Sequence, residues 1–389
     1  MKILSVCTNF RVFGAEVITL KMLDGFKQKG HEQLAVTSIW AADGEFSRRL
    51  AVLGIPELQL PLGTITKRLA PRQMWWMTNT LVRLPFAWAR WARLLGNFQP
   101  DVVVFNSSRL SLLLSPWLDR YPSLLIEHGC LQPSRANRWL YEFLSDKVMG
   151  FVVPSYFMRS HLERLGVPSG KIRVVYHGPF TEGEEHTILD RSALSSALGP
   201  VRIGIAGQIS PHKGHDTLLE AARILKTQGV PFVINVFGSG QAEYVESLNR
   251  KISANGLSEA WHWRGYEREL SKMYGVMDIC VMPSACDESF GLVALEASAY
   301  GLPVIASRRG GLPEVIQDGM TGYLTAPGCA QELADKIEHL IRNANLARKM
   351  GAAGRKRALE QFTQANMIRA LESCLPRTRT VAPDVARLS

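Results

Sequence analysis

Short apolar runs alternate with longer segments of helical spacing along most of the chain. Runs at 3–7, 34–38, 58–60, 102–105, 124–126, 151–153 and 172–176 read as buried strands, and 16–29 carries helical spacing closed by Gly30. Residues 179–200 break the alternation: they are polar, with Pro179 at one end and Gly199-Pro200 at the other. The pattern then restarts, with strands predicted at 201–206, 232–237, 261–263, 279–282 and 304–306. Helices are predicted at 216–227, 241–254, 267–275, 292–300, 330–343 and through 346–373. Strands alternating with helices predict parallel sheets covered on both faces, an α/β class. The expected organisation is a doubly wound domain over 1–178, a linker over 179–200 and a second such domain over 201–360. A helix at 361–375 is expected to pack back on the first domain, ahead of a loose tail at 376–389.

Composition narrows this picture. The 389 residues are 46% hydrophobic and 21% charged, as in soluble globular proteins, and the length allows two or three domains. The six cysteines form no CxxC pair and accompany no histidine cluster, which points to reduced thiols. The opening MKILSVCTNF reads as a first strand instead of a signal peptide, and no apolar run spans a bilayer. A cytoplasmic protein is therefore expected, with the inner face of a membrane as a second place for it. The net charge of +10 favours anionic partners: phospholipid, nucleic acid or a phosphorylated ligand.

The densest chemistry lies at Glu288-Ser289-Phe290-Gly291-Leu292-Val293-Ala294-Leu295-Glu296, directly after the strand at 279–282. Gly291 opens a helix there, and the backbone N–H groups near Phe290, Gly291 and Leu292 are helix-start donors suited to an anion. Gly301-Leu302-Pro303, Gly310-Gly311-Leu312-Pro313-Glu314 and Asp318-Gly319-Met320-Thr321-Gly322 follow. With these flanks the sequence resembles the retaining glycosyltransferases of family 4, of the GT-B fold: two Rossmann-like domains facing across a cleft. The carboxylate pair matches that family's E-x7-E motif. The resemblance implies that Glu288 contacts a donor sugar and Glu296 the ribose hydroxyls of a nucleoside-diphosphate sugar, UDP- or GDP-linked. Gly204-Ile205-Ala206-Gly207-Gln208-Ile209 followed by Pro211-His212-Lys213-Gly214 resembles its phosphate loop, with Lys213 placed to neutralise the diphosphate. Gln208 stands where the family carries Arg, which removes a fixed cation and a bidentate fork. Phe13-Gly14-Ala15-Glu16 resembles the Gly-Gly-x-Glu loop, Gly14 being kept and Phe13 replacing the first glycine. His128 follows a strand as does the family histidine that faces the donor sugar, and Glu127 either orients it or is solvated. The match implies no cofactor and no metal, since the sugar nucleotide is a substrate and the chain lacks Asp-x-Asp. Gly238-Ser239-Gly240 lacks the third glycine of a dinucleotide fingerprint.

Residues 66–96 contain Lys67, Arg68, Arg72, Arg83, Arg90 and Arg93, no acidic residue, and interleaved Trp75, Trp76, Phe86, Trp88 and Trp91. Leu81, Leu84, Trp88, Trp91 and Leu95 share a helical face that suits packing on the sheet. The basic and aromatic residues nearer 67–77 suit an anionic membrane and a lipid-linked or envelope-polysaccharide acceptor. Nothing in the chain resembles a nucleic-acid-binding module. A soluble small-molecule transferase, a sugar-nucleotide epimerase and a non-catalytic sugar-nucleotide-binding protein are the alternative readings.

Overall fold

The structure, a computed structural model, describes residues 1–7, 12–40, 44–63, 71–181 and 199–376. The chain divides into two compact units: Met1–Pro179 joined by the chain from Gln364 onward, and Phe180–Thr363.

The first unit runs β1 (Lys2–Val6), α1 (Gly14–Gln28), β2 (Glu32–Ser38), α2 (Glu45–Val52), β3 (Glu57–Leu60) and α3 (Pro71–Phe98). It continues through β4 (Val102–Phe105), α4 (Ser108–Leu113), β5 (Ser123–Ile126), α5 (Arg135–Lys147), β6 (Gly150–Val153), α6 (Tyr156–Arg164) and β7 (Ile172–Val174). The seven strands form one sheet in the order β3-β2-β1-β4-β5-β6-β7, and neighbours pair in parallel. Strands such as VVVF and GFVV are buried at every position because helices cover both faces. Of the helices, α5 and α6 start on serine caps: Ser134 Oγ accepts from Asn137 N at 3.2 Å and Ser155 Oγ from Met158 N at 3.1 Å.

The second unit runs β8 (Val201–Ala206), α7 (His215–Thr227), β9 (Phe232–Phe237), α8 (Ala242–Ala254), β10 (Trp261–Gly265), α9 (Leu270–Gly275) and β11 (Ile279–Met282). Then follow α10 (Leu292–Ala299), β12 (Val304–Ser307), α11 (Leu312–Val315), β13 (Gly322–Thr325), α12 (Ala330–Arg342) and α13 (Ala344–Gln361). Its sheet is parallel in the order β10-β9-β8-β11-β12-β13. In each unit the strand order reverses beside the unit's first strand, between β1 and β4 and between β8 and β11. Loops diverge there above the carboxyl ends of the strands, where open parallel sheets bind ligands.

The last helix, α14 (Gln364–Glu372), belongs to the first unit. It buries Met367, Ile368 and Leu371; Gln364 Nε2 donates to Lys21 O at 2.6 Å, and Glu372 lies 3.2 Å from His31. The stretch expected to be helical over 346–373 consists of two helices, α13 and α14. They part at Phe362-Thr363, where the backbone is drawn into a parallel bridge between Thr363 and Phe180. The strand β13 was not expected. The segment expected as a linker, 179–200, lies mostly outside the described residues, as do Lys67 and Arg68 and most of the expected tail.

One expected face needs correction. α3 continues through Pro85, and its inward face is Thr80, Ala87, Trp91 and Leu95, with Leu84 and Trp88 packed alongside. Leu81 is 54% exposed, because the 3.6-residue period brings Thr80 inward in its place. Trp88 satisfies its indole by donating to Leu113 O at 2.8 Å.

Candidate active site

In the second unit the loops after β8 and β11 carry the predicted residues. Pro211–Lys213 form one tight turn, and Gly214 ends it in the left-handed region at φ +78° before α7. A Cβ on Gly214 would lie 1.8 Å from Pro283 O, so the backbones of the two loops touch there. A hydrogen bond from Ala285 N to His212 O, 2.9 Å, joins them again. This brings Lys213 Nζ to 2.6 Å from Glu288 Oε1, which also accepts from Ser284 Oγ at 2.7 Å. Glu288 is held from behind as well. Its carbonyl accepts from Gly311 N at 2.7 Å, and a Cβ on Gly310, at φ +59°, would lie 2.2 Å from that carbonyl oxygen. Lys213 and Glu288 are both partly buried, and an ammonium with three donors can keep Glu288 and still offer hydrogen bonds to a diphosphate.

Glu296 sits about one turn into α10, where burial pushes its carboxyl up to about 7 against the opposing hydrogen bond from Tyr274. Tyr274 Oη donates to Glu296 Oε2 at 2.8 Å, leaving Oε1 to other donors. Gly291 caps α10 at φ +114° and Leu292 is its first residue, so the helix-start amides lie immediately behind Glu288. The side chain of Phe290 is buried, edge-on to Phe362 at 5.7 Å, so this residue offers a ligand only its backbone. Gln208 is exposed. Desolvation first, then the Lys213 charge, hold the His212 imidazole below its ordinary range, with the Glu288 carboxylate opposing. Gly238-Ser239-Gly240 lies beside this loop, with Ser239 O accepting from Ile209 N at 2.9 Å.

In the first unit a cavity of about 290 Å³ opens where the strand order reverses, lined by Glu16, Asn106, Arg109, Glu127, His128 and their neighbours. His128 lies 3.3 Å through Nε2 from Asn106 Oδ1 and 3.4 Å through Nδ1 from His177 Nε2. Asn106 Nδ2 donates to Cys7 Sγ at 3.1 Å, which leaves its oxygen to accept; His128 therefore carries its proton on Nε2. Burial lowers His128 to about 4, so it is neutral at physiological pH. Glu127 neither orients His128 nor is solvated. It is buried, accepts from Ser108 N at 3.0 Å at the start of α4, and is pushed up to about 7 by desolvation. Gly14 is the first residue of α1, exposed, and Phe13 beside it is 56% exposed with its N–H donating to Glu16 Oε2 at 2.9 Å. Sequence reasoning missed Asn106, Tyr274, Ser284 and the approach of His177 to His128. Asn106 carried a signal, being the polar residue directly after a strand that adjoins β1.

Residues 12–181 match the family described as Glycosyltransferase Family 4, and residues 189–357 match Glycosyl transferases group 1. The amylovoran biosynthesis glycosyltransferase AmsK of Erwinia amylovora is 31% identical over 71% of this chain and 64% of its own length. The lipopolysaccharide 1,2-N-acetylglucosaminetransferase of Salmonella typhimurium is 27% identical over 62% of this chain and 65% of its own length. The chain thus spans just under two thirds of these curated relatives. Among solved structures, Alr3699/HepE of Anabaena in complex with UDP and glucose superposes with a TM-score of 0.76 at 21% identity, over 96% of this chain and 99% of that one, which shows a common fold.

Proposed function

Because the chain belongs to the family 4 glycosyltransferases and has the GT-B fold, we propose that it moves a sugar from a nucleoside-diphosphate sugar to a hydroxyl acceptor with retention at the anomeric carbon. The observation that carries this reading is the Lys213–Glu288 pair fixed directly before the start of α10. When the C1–O bond breaks, the electron pair leaves with the diphosphate. Lys213 and the helix-start amides offer the positive field that this charge needs. Glu288 offers a carboxylate to sugar hydroxyls and Glu296 one to the ribose. Neutral His128, its Nε2–H turned to Asn106 Oδ1, gives the first unit's cavity an uncharged polar wall. The two curated relatives named for amylovoran and lipopolysaccharide synthesis favour a cell-envelope glycan as acceptor. HepE, solved with UDP, favours a uridine donor.

A thermal-shift screen of UDP-, GDP- and ADP-sugars, followed by turnover of the radiolabelled binder, tests this. A ligand at a hundred times its Kd stabilises by about 2.7 kcal/mol. Binding without turnover on any glycan acceptor would make the protein a sugar-nucleotide receptor instead. Glu296→Ala is expected to weaken donor binding by roughly ten- to a hundredfold, the worth of a hydrogen bond to a charged group. Wild-type affinity should also rise as pH climbs through about 7 and the Glu296 carboxylate forms, and Glu296→Gln should be flat. Calorimetry showing unchanged affinity in Glu296→Ala overturns the ribose role. Turnover should persist in EDTA, because Lys213 and the α10 amides offer the field that a metal otherwise supplies. Loss in EDTA with recovery on adding Mg²⁺ or Mn²⁺ would refute that.

A further inference from the structure

The outward face of α3 is amphipathic in the wrong sense for a helix that only packs on a sheet. Opposite its buried residues Ala87, Trp91 and Leu95, the three-four spacing places Trp75, Val82 and Phe86 in solvent, at 55%, 75% and 59% exposure. An apolar line of this kind is usually buried by something. Arginines border it: Arg83 and Arg93 are exposed, and the Arg90 guanidinium lies 5.7 Å over the Phe86 ring. The helix from Pro71 to Phe98 contains no Asp or Glu.

We propose that this face of α3 lies on an anionic lipid bilayer, with Trp75, Val82 and Phe86 entering the headgroup boundary and the arginines reaching lipid phosphates. Charge complementarity selects this occupant. A second copy meeting the same patch about a two-fold axis would bring like arginines together. A bilayer offers apolar depth and negative charge at the same place. The helix rests in the plane of the surface, since no described helix is long and apolar enough to cross a membrane. The arginine stems lie along the apolar line while their heads stay in the polar layer. None of this depends on the reading of the transfer site.

The test is co-sedimentation of the whole protein with vesicles of phosphatidylglycerol and phosphatidylcholine, or of phosphatidylcholine alone, at low and high salt. Two variants accompany wild type: Arg83→Gln/Arg90→Gln/Arg93→Gln and Trp75→Ser/Val82→Ser/Phe86→Ser. All six side chains lie on the solvent side of α3, so both variants should keep the wild-type melting temperature. Wild type should bind the anionic vesicles and weaken with salt. The arginine variant should lose roughly a hundredfold in partitioning, and the apolar variant should lose the binding that survives high salt. Equal binding by wild type and both variants, or no binding to anionic vesicles, overturns the proposal. So does a dimer, seen by light scattering, that the apolar variant abolishes while vesicles are ignored.

Discussion

Lys213→Ala is expected to lower turnover of a radiolabelled sugar nucleotide by roughly a hundred- to a thousandfold, the usual cost of removing one fixed donor from a developing negative charge. The substitution removes the ammonium that lies 2.6 Å from Glu288. Glu288 keeps the hydroxyl of Ser284 and the backbone anchor at Gly311, so the loop retains two of its three supports. Glu288→Gln should cost turnover to a similar degree while still accepting from Ser284. The double variant should be little worse than either single one, because the two side chains act as one unit. Melting temperatures must accompany the rates, since truncating one member of a partly buried ion pair also costs stability. Wild-type turnover in both single variants, with intact melting, would remove this pair from the chemistry. The Glu296→Ala effect should appear in donor affinity instead, which separates the two carboxylates by readout.

Ending the chain at Thr363 is expected to unfold the first unit and leave the second folded. The cut removes Met367, Ile368, Leu371 and Leu375, all buried. It also removes the Gln364 bond to Lys21 O and the Glu372 contact with His31. Burying one such aliphatic side chain is worth roughly 1.5–3 kcal/mol. Four of them rival the whole stability of an ordinary domain, about 5–15 kcal/mol. Limited proteolysis of a 1–363 chain should digest the first unit quickly and leave a protected fragment near 180–363. Equal protection of both units would show that α14 is dispensable.

What could be read in advance was local. Lys213, Glu288 and Glu296 were singled out by the family motifs they match, and those motifs could be placed because each lies near a strand end or helix start. The fold class is legible because buried parallel strands show as unbroken apolar runs. Tyr274, Ser284 and the approach of His177 to His128 were not legible, since they depend on which strands become neighbours and on how side chains fill the space behind them. Glu127 shows the limit from the other side. Beside His128 in sequence, it points instead into the start of α4, because successive residues leaving a strand face opposite ways. The helices α5 and α6 did carry a signal, a serine cap before each, that the apolar pattern alone passed over. Leu81 was misplaced because the stripe from Leu81 to Leu95 repeats about every 3.5 residues and slips against the 3.6-residue turn, so Thr80 takes the inward place at its far end.

The return of α14 to the first unit also sets an order of events at the ribosome. β7 ends at Val174, yet the helix that completes its unit ends at Glu372. At about 5–20 residues per second, roughly 10–40 s of synthesis separate the two. The second unit has both its ends, Phe180 and Thr363, available before α14 is made. The first unit therefore cannot be completed until the whole of the second has been made. The first unit waits with the groove for α14 on α1 uncovered, and that interval is when a chaperone has the most to hold.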